Sequence, residues 1–335
     1  MRCCVPLTIH KNLWGKRNTR LWLGLGVATT CQEHMRCRYR SSHMQIPLLT
    51  RRRFLQLTAG LALSGAAGYG YARLLEPNWV EVVEQPLAIP HLPAHLVGRR
   101  IAQLSDIHLG QYTGPEKLLS AVARVNRLAP DLVFLTGDYV TRSAGQGEAL
   151  VEPLRLLDAP TYAILGNHDL WTDRTTVSAF LAETRVRLLV NRGEEALAGL
   201  FVGGVDDIWS GRPDIRAALD GAPTGAVSLL LAHEPDFFDR VVQAEAPVAV
   251  QFSGHSHGGQ VRIPSATPDG VGLFTRAPLL PRFGERYPIG LYKVGARQVY
   301  TNRGLGVWPL PFRFNCRPEI TIFTLHADES GESEQ

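Results

Sequence analysis

Carboxylates and imidazoles recur at the ends of apolar runs in this chain. Asp106 and His108 follow the run 100–105, and Asp138 follows 132–136 through Gly137. Asn167, His168 and Asp169 follow 162–165, His233 follows 227–232, and His255 and His257 follow 248–252. Carboxylate oxygen, imidazole nitrogen and amide oxygen suit borderline divalent ions such as Mn, Fe, Co or Zn. No cysteine joins the set, which argues against a structural zinc site. Asp106, His108, Asp138, Asn167, His233, His255 and His257 make seven candidate ligands. That is too many for one ion with open positions and fits two ions that share a carboxylate. Two such ions, about 3.5–4 Å apart, generate a hydroxide nucleophile and clamp a phosphoryl group.

Each piece has an ordinary reading when taken alone. Asp-x-His and Gly-Asp are common turn chemistry. A single His233 at a strand end is more often a hydrogen-bonded core residue. Gly166-Asn167-His168-Asp169 and Gly254-His255-Ser256-His257-Gly258-Gly259 are more specific. In the second, two histidines one residue apart and set between glycines allow a close backbone approach to an ion. The shared order, and the placement of every block at a strand end, carries more than any block does.

Those blocks need elements that bring them together. Apolar runs predict strands at 100–105, 132–136, 162–165, 198–205, 227–232 and 248–252, with later strands near 289–294, 298–302 and 319–325. Helical spacing covers 115–128, with Pro115 suited to the first turn, and helices are expected at 147–157, 173–183 and 234–244. Residues 73–98 read as an extended, proline-bearing lead-in. Alternating strands and helices imply an α/β layered fold. Ligands of such sheets collect at the carboxyl ends of strands, so motifs distant in sequence can converge there.

Composition bounds the function. The chain has 335 residues, 45% hydrophobic and 20% charged, an ordinary globular composition. The net charge of +4 misleads. Residues 1–53 hold eleven of the 35 basic residues and one of the 31 acidic ones, leaving 24 basic and 30 acidic in the rest. The folded part is acidic, and a nucleic-acid role needs a basic face. Cys3, Cys4, Cys31 and Cys37 precede the domain and only Cys316 lies within it, so no internal disulfide is expected.

Asp106-x-His108, Gly137-Asp138, Gly166-Asn167-His168-Asp169, His233 and Gly254-His255-x-His257 together resemble the calcineurin-like metallophosphoesterase family. The resemblance spans roughly residues 97–326. With Gly258-Gly259-Gln260 and the leader described below, it is similar to an exported bacterial branch related to UDP-2,3-diacylglucosamine pyrophosphate hydrolases of lipid A synthesis. It implies a single domain of two packed mixed sheets flanked by helices, in four layers. It also implies that Asp106, His108 and His257 hold one metal, that Asn167, His233 and His255 hold the other, and that Asp138 bridges them. His168 is then the catalytic group, facing the phosphoryl oxygens, and Asp169 orients it. The activity implied is metal-dependent hydrolysis of a phosphoester or pyrophosphate bond. A phosphomonoesterase of the same fold and a non-catalytic metal-binding scaffold are the alternatives, and no ligand or catalytic residue is missing to favour the scaffold.

Two stretches bear on the substrate. Loop 303–314 is aromatic and proline-rich, and 273–287 mixes Phe274, Leu279, Leu280 and Phe283 with Arg276, Arg282 and Arg286. Apolar groups beside arginines suit a lipid-linked or otherwise phosphorylated substrate at a membrane. The competing reading is that these loops only cover the second sheet. Gly304 and Gly306 predict a tight backbone path beside the site. Trp209 is expected in the core, and Asp206 and Asp207 are expected to hold a turn.

The N-terminus reads as an address. Thr50-Arg51-Arg52-Arg53-Phe54-Leu55-Gln56, then an apolar run over 57–72, resembles a twin-arginine export signal; the alternative is the basic start of a single membrane anchor, and an uncleaved signal would be both. The division expected is an upstream extension at 1–43, a signal or anchor with linker at 44–77, the domain at 78–326 and a disordered tail at 327–335. The site would then work in the periplasm or on the outer face of the cytoplasmic membrane, delivered by the twin-arginine machinery. Signals of this kind sit at a chain start, so translation is expected to begin at Met44. N-terminal sequencing of the unprocessed product checks this. Met44 is expected, and Arg2 or Cys3 would contradict it.

Overall fold

The structure is a computed structural model and describes residues 50–328. The expected upstream extension 1–43, Met44 and tail residues 329–335 lie outside the described residues. The fold belongs to the compact unit Ala62–Gln335. Helix α1 (Arg51–Gly70) has no buried residue. Among the described residues no helix is long and apolar enough to cross a membrane.

The strands, in chain order, are β1 (Glu81–Ile89), β2 (Arg100–Leu104), β3 (Leu132–Thr136), β4 (Thr161–Ile164), β5 (Arg187–Leu188), β6 (Arg192–Leu197) and β7 (Leu200–Gly204), then β8 (Val227–Leu231), β9 (Val250–Ser253), β10 (Ile263–Pro264), β11 (Thr275–Arg276), β12 (Gly290–Val294), β13 (Arg297–Thr301) and β14 (Glu319–Ala327). The further helices are α2 (Pro115–Leu128), α3 (Glu148–Arg155), α4 (Asn167–Ala182), α5 (Ile215–Ala218) and α6 (Phe238–Gln243). One six-stranded sheet has the order β1-β14-β2-β3-β4-β5, and the other β12-β13-β9-β8-β7-β6. Both are mixed. β2 to β5 run parallel while β14 opposes β2, and β7, β8, β9 and β13 run parallel while β6 and β12 oppose their neighbours.

Alternation along each strand builds the layers. Leu132 and Phe134 point between the sheets, while Val133 and Leu135 point to the helices. Likewise Val227, Leu229 and Leu231 face the inter-sheet core and Leu230 the outer one. Strands covered on both faces read as continuous apolar runs, as these do. α2 contributes Leu118, Ala121, Val122 and Val125 to one outer core, and α6 contributes Phe238 and Val241 to the other. The result is four layers, helix–sheet–sheet–helix, around three apolar clusters.

β5, β6 and α5 were not expected from the sequence, and two further differences bear on the site. The lead-in contains β1, which pairs parallel with β14 along its whole length. Pro86 disguised it; proline is tolerated there because β1 is an edge strand. The helix expected from 173 begins at Asn167, with a break at Asp173 (φ −172°, ψ 102°). Asp173 recaps the second segment, accepting from the Thr175 amide at 2.9 Å. The first segment is a short helical turn carrying Asn167, His168 and Asp169.

Phe252 of β9 joins the two sheets. Its ring lies 5.1 Å from Phe134 of β3 and 4.9 Å from Phe323 of β14. Phe252→Ala is expected to cost about 3–5 kcal/mol, the usual loss for an aromatic truncated in a core. Chemical denaturation measures it, and a loss below about 1 kcal/mol would show that the sheets are held elsewhere.

Candidate metal centre

Five strand ends from both sheets meet in one place. β2, β3 and β4 deliver Asp106, Asp138 and Asn167, and β8 and β9 deliver His233 and His255. Asp106, His108, Asp138, His255 and His257 all have positive φ, between 47° and 67°. Non-glycine residues hold this left-handed conformation at a cost of about 1–3 kcal/mol each, and such strain collects at functional sites. Backbone bonds across the strand ends hold it in place. The Asp106 amide donates to Gly137 O at 3.0 Å, His108 to Asp138 O at 2.9 Å, and Gly254 to His233 O at 3.0 Å.

The side chains converge as the backbones do. Asp106, His108 and His257 bring one ligand atom each within 4.8 Å of one another, and so do Asp138, His233 and His255. Asp138 lies between the groups: its Oδ2 is 3.4 Å from His108 Nε2 and 3.2 Å from His233 Nε2. His108 Nε2 and His257 Nε2 face each other at 3.1 Å. Asn167 Oδ1, His233 Nε2 and His255 Nδ1 are buried without hydrogen-bond partners. Buried polar atoms are rarely left so, which fits atoms awaiting an ion. His108, Asp138 and His168 form a third group within the same distance.

Carbonyls set the imidazole tautomers, as they do around metal-binding histidines. His233 Nδ1 donates to Thr136 O at 2.6 Å and His255 Nε2 to Arg282 O at 2.9 Å, leaving His233 Nε2 and His255 Nδ1 as the free nitrogens. Burial opposes the ionisation of Asp138, yet the nearby imidazoles of His233, His168 and His108 hold its carboxyl well below the usual range. Burial also works against charge on His233, but the neighbouring Asp138 outweighs it and raises that imidazole's pKa well above its ordinary value. His255 is pushed down to about 3, by burial first and then by His233. The site is a dry pocket that concentrates negative charge on Asp138 and draws positive charge to it.

The close approach needs Gly254 and Gly306. A Cβ on Gly254 would stand 1.9 Å from Ser105 Oγ and 2.2 Å from Asp106 Oδ2. One on Gly306 would stand 2.3 Å from Ile107 O, so the path at Gly304–Gly306 is as tight as the sequence implied.

Asp169 does not touch the His168 ring, contrary to expectation. Its carboxylate accepts from the amides of Asp138 (2.9 Å), Tyr139 (2.9 Å), Val140 (3.3 Å) and Gly166 (2.9 Å). A carboxylate at the third position of a helix start is drawn to the free amides around it. His168 Nδ1 donates instead to Thr141 O at 2.8 Å. Asp169 therefore shapes the loop that carries Thr141 and acts on His168 only through it.

Trp209 also departs from expectation. It is 37% exposed and lies against His255 and Trp171 instead of in the core. The turn built by Asp206 and Asp207 lifts it out: Asp206 accepts from the Arg212 amide at 2.9 Å and Asp207 from the Ser210 amide at 2.5 Å. A cavity of about 370 Å³ opens above the cluster. Trp171, Trp209, Leu279, Leu280, Pro281, Trp308, Pro309 and Leu310 wall it, and His108, Asp138, Asn167, His168, His255 and His257 form its polar part. Loops 273–287 and 303–314 thus border the site. Three of their arginines have partners of their own. Arg303 pairs with Glu319 and Glu81, Arg286 with Asp239, and buried Arg313 donates to the carbonyls of Arg303, Gly304 and Gly306.

Sequence reasoning missed Trp171, whose ring is 4.9 Å from His168. Its signal was its spacing, one helical turn beyond His168. Gln260, singled out only as part of Gly258-Gly259-Gln260, ties down loop 303–314 by accepting from the Trp308 amide and donating to Leu310 O, both at 2.8 Å.

Residues 99–259 match the family model for the calcineurin-like phosphoesterase. The chain is 35% identical over 291 residues to the uncharacterized metallophosphoesterase YkuE of Bacillus subtilis, covering 83% of this chain and 98% of that protein. It is 30% identical over 288 residues to the phosphodiesterase YaeI of Escherichia coli, covering 83% and 100%. It is 29% identical over 312 residues to the UDP-2,3-diacylglucosamine pyrophosphatase LpxG of Chlamydia trachomatis, covering 75% and 91%. The chain belongs to the calcineurin-like metallophosphoesterase family, the metal-dependent hydrolases of phosphoric esters.

Proposed function

We propose that the chain is a two-metal phosphodiesterase or pyrophosphatase whose substrate carries a lipid-like group. The observation that carries this reading is the character of the cavity. Its polar part is the histidine–carboxylate cluster, its walls are tryptophan, leucine and proline, and no Lys or Arg lines it among the described residues. A small dianionic monoester would meet no fixed cation beyond the metal sites. A phosphorus flanked by an apolar group would bury that group against the walls. The diacylated substrate in the name of the Chlamydia relative has this character.

Asp106, His108 and His257 are assigned to one ion, and Asn167, His233 and His255 to the other, with Asp138 shared. The orphaned Asn167 Oδ1, His233 Nε2 and His255 Nδ1 support the second set. The donor chemistry suits Mn, Zn, Fe or Co. When bound, the two ions supply positive charge against the phosphoryl oxygens and a hydroxide at neutral pH.

His168 is the protein's own acid–base group. Thr141 O fixes its Nδ1, and the ring is packed between Trp171 and Trp308. With the ring protonated, its other nitrogen donates to a phosphoryl oxygen or passes the proton to the leaving oxygen, and burial, which lowers the ring's pKa, favours that release. The apolar walls exclude water from that exchange and strengthen it. The arginine pair at Arg51 and Arg52, followed by Phe54 and Leu55, supports export and action at the outer side of the cytoplasmic membrane.

Purified protein loaded with Mn²⁺ and assayed on a monoester, a diester and a nucleotide-sugar pyrophosphate tests the reading; preference for the monoester would sink it. His168→Ala is expected to keep its metal content and lose on the order of 10²–10⁴ in rate. Unchanged turnover in a metal-replete variant would refute the role of His168.

A further inference from the structure

One apolar face beside the cavity is exposed among the described residues. β10 and β11 pair antiparallel, with Ile263 opposite Arg276. Phe274 stands two residues before Arg276 and Ile263 two residues after Val261, and Val261 pairs in parallel with Phe314. Side chains two apart along a strand, and those of paired residues, point to one side. Ile263 and Arg276, a cross-strand pair, therefore share a face, and Phe274, just before β11, and Phe314, bridged to Val261, lie beside it. Phe314, Ile263 and Phe274 are 40%, 49% and 62% exposed. Leu279, 63% exposed, carries the apolar surface into the cavity wall. The Arg276 guanidinium bonds only the hydroxyls of Ser265 (3.2 Å) and Thr267 (2.9 Å). It has no carboxylate partner among the described residues.

We propose that this face seats the protein on a phospholipid bilayer, with the cavity mouth at the headgroup level. The inference rests on the reading of the cavity as a site for a lipid-borne ester, and adds how that ester arrives. Aromatic and aliphatic tips enter the boundary of the acyl region, and an arginine beside them meets lipid phosphate. Continuity with the tryptophan-lined cavity lets a substrate move from the bilayer to the site without crossing water.

The test uses the full chain with mixed phosphatidylcholine–phosphatidylglycerol vesicles. Amide exchange over 261–276 and 312–314 is measured with and without vesicles, for the wild type and for the double variant Phe274→Asp, Phe314→Asp. Vesicles should protect these amides in the wild type. The variant should lose that protection, and its vesicle partition should fall roughly tenfold or more, given the apolar area withdrawn. Its turnover of soluble bis(p-nitrophenyl) phosphate should not change. Absent protection in the wild type, unchanged partition of the variant, or protection produced by dimerisation without vesicles overturns the proposal. Docking without soluble turnover sinks the catalytic reading alone, and soluble turnover without protection sinks the docking alone.

Discussion

The carboxylate of Asp138, buried among imidazoles, is the interaction on which the rest of the site depends. One of its oxygens lies 3.4 Å from His108 Nε2 and 3.2 Å from His233 Nε2, which belong to strand ends of different sheets. A carboxylate in so dry a place is stable only if positive charge is held close to it. The left-handed backbones of Asp106, His108, Asp138, His255 and His257 are the means by which five strand ends turn sharply enough to meet there. Their strain persists because the two packed sheets over-determine it. The core formed by Phe134, Phe252 and Phe323 packs the two sheets against each other, and each ligand group draws residues from both.

Around that centre backbone groups hold the imidazoles, including His168, for which the Asp169 side chain was expected. Carbonyls of Thr136, Arg282 and Thr141 hold His233, His255 and His168 in place. Four amides gather on Asp169. A ring fixed by a main-chain carbonyl is fixed by the fold itself. This ties the chemistry of the site to the integrity of the strand ends and leaves few side chains beyond the ligands to carry it. The outer half of the cavity follows the opposite logic. There the chain places tryptophan, leucine and proline on loops, so the phosphorus end is charged and its surroundings are apolar.

The cluster was legible in the sequence because its residues sit at ends of apolar runs, and such runs are the most readable signal of strands buried on both faces. The helix over 115–128 and the strand over 132–136 match the structure end to end for the same reason. β1 was hidden because Pro86 and its charged neighbours resemble a linker until the partner strand, more than two hundred residues away, is known. Trp209 was misread because an aromatic after an apolar strand is ordinarily core, and only the turn made by Asp206 and Asp207 turns it outward. The role of Asp169 could not be read because three of the four amides it gathers belong to another strand's loop. Trp171 was readable in principle from helical spacing, once the helix was known to start at Asn167 instead of Asp173.

The central claim is that one shared carboxylate joins two metal positions. Metal analysis of the purified wild type beside Asp138→Asn, with diester turnover measured on the same samples, tests it most directly. The account predicts about two divalent ions per chain in the wild type, as two-metal hydrolysis needs. The variant should lose at least one ion and nearly all turnover. Wild-type protein active with a single ion, or an Asp138→Asn variant that keeps both ions and its activity, would contradict it.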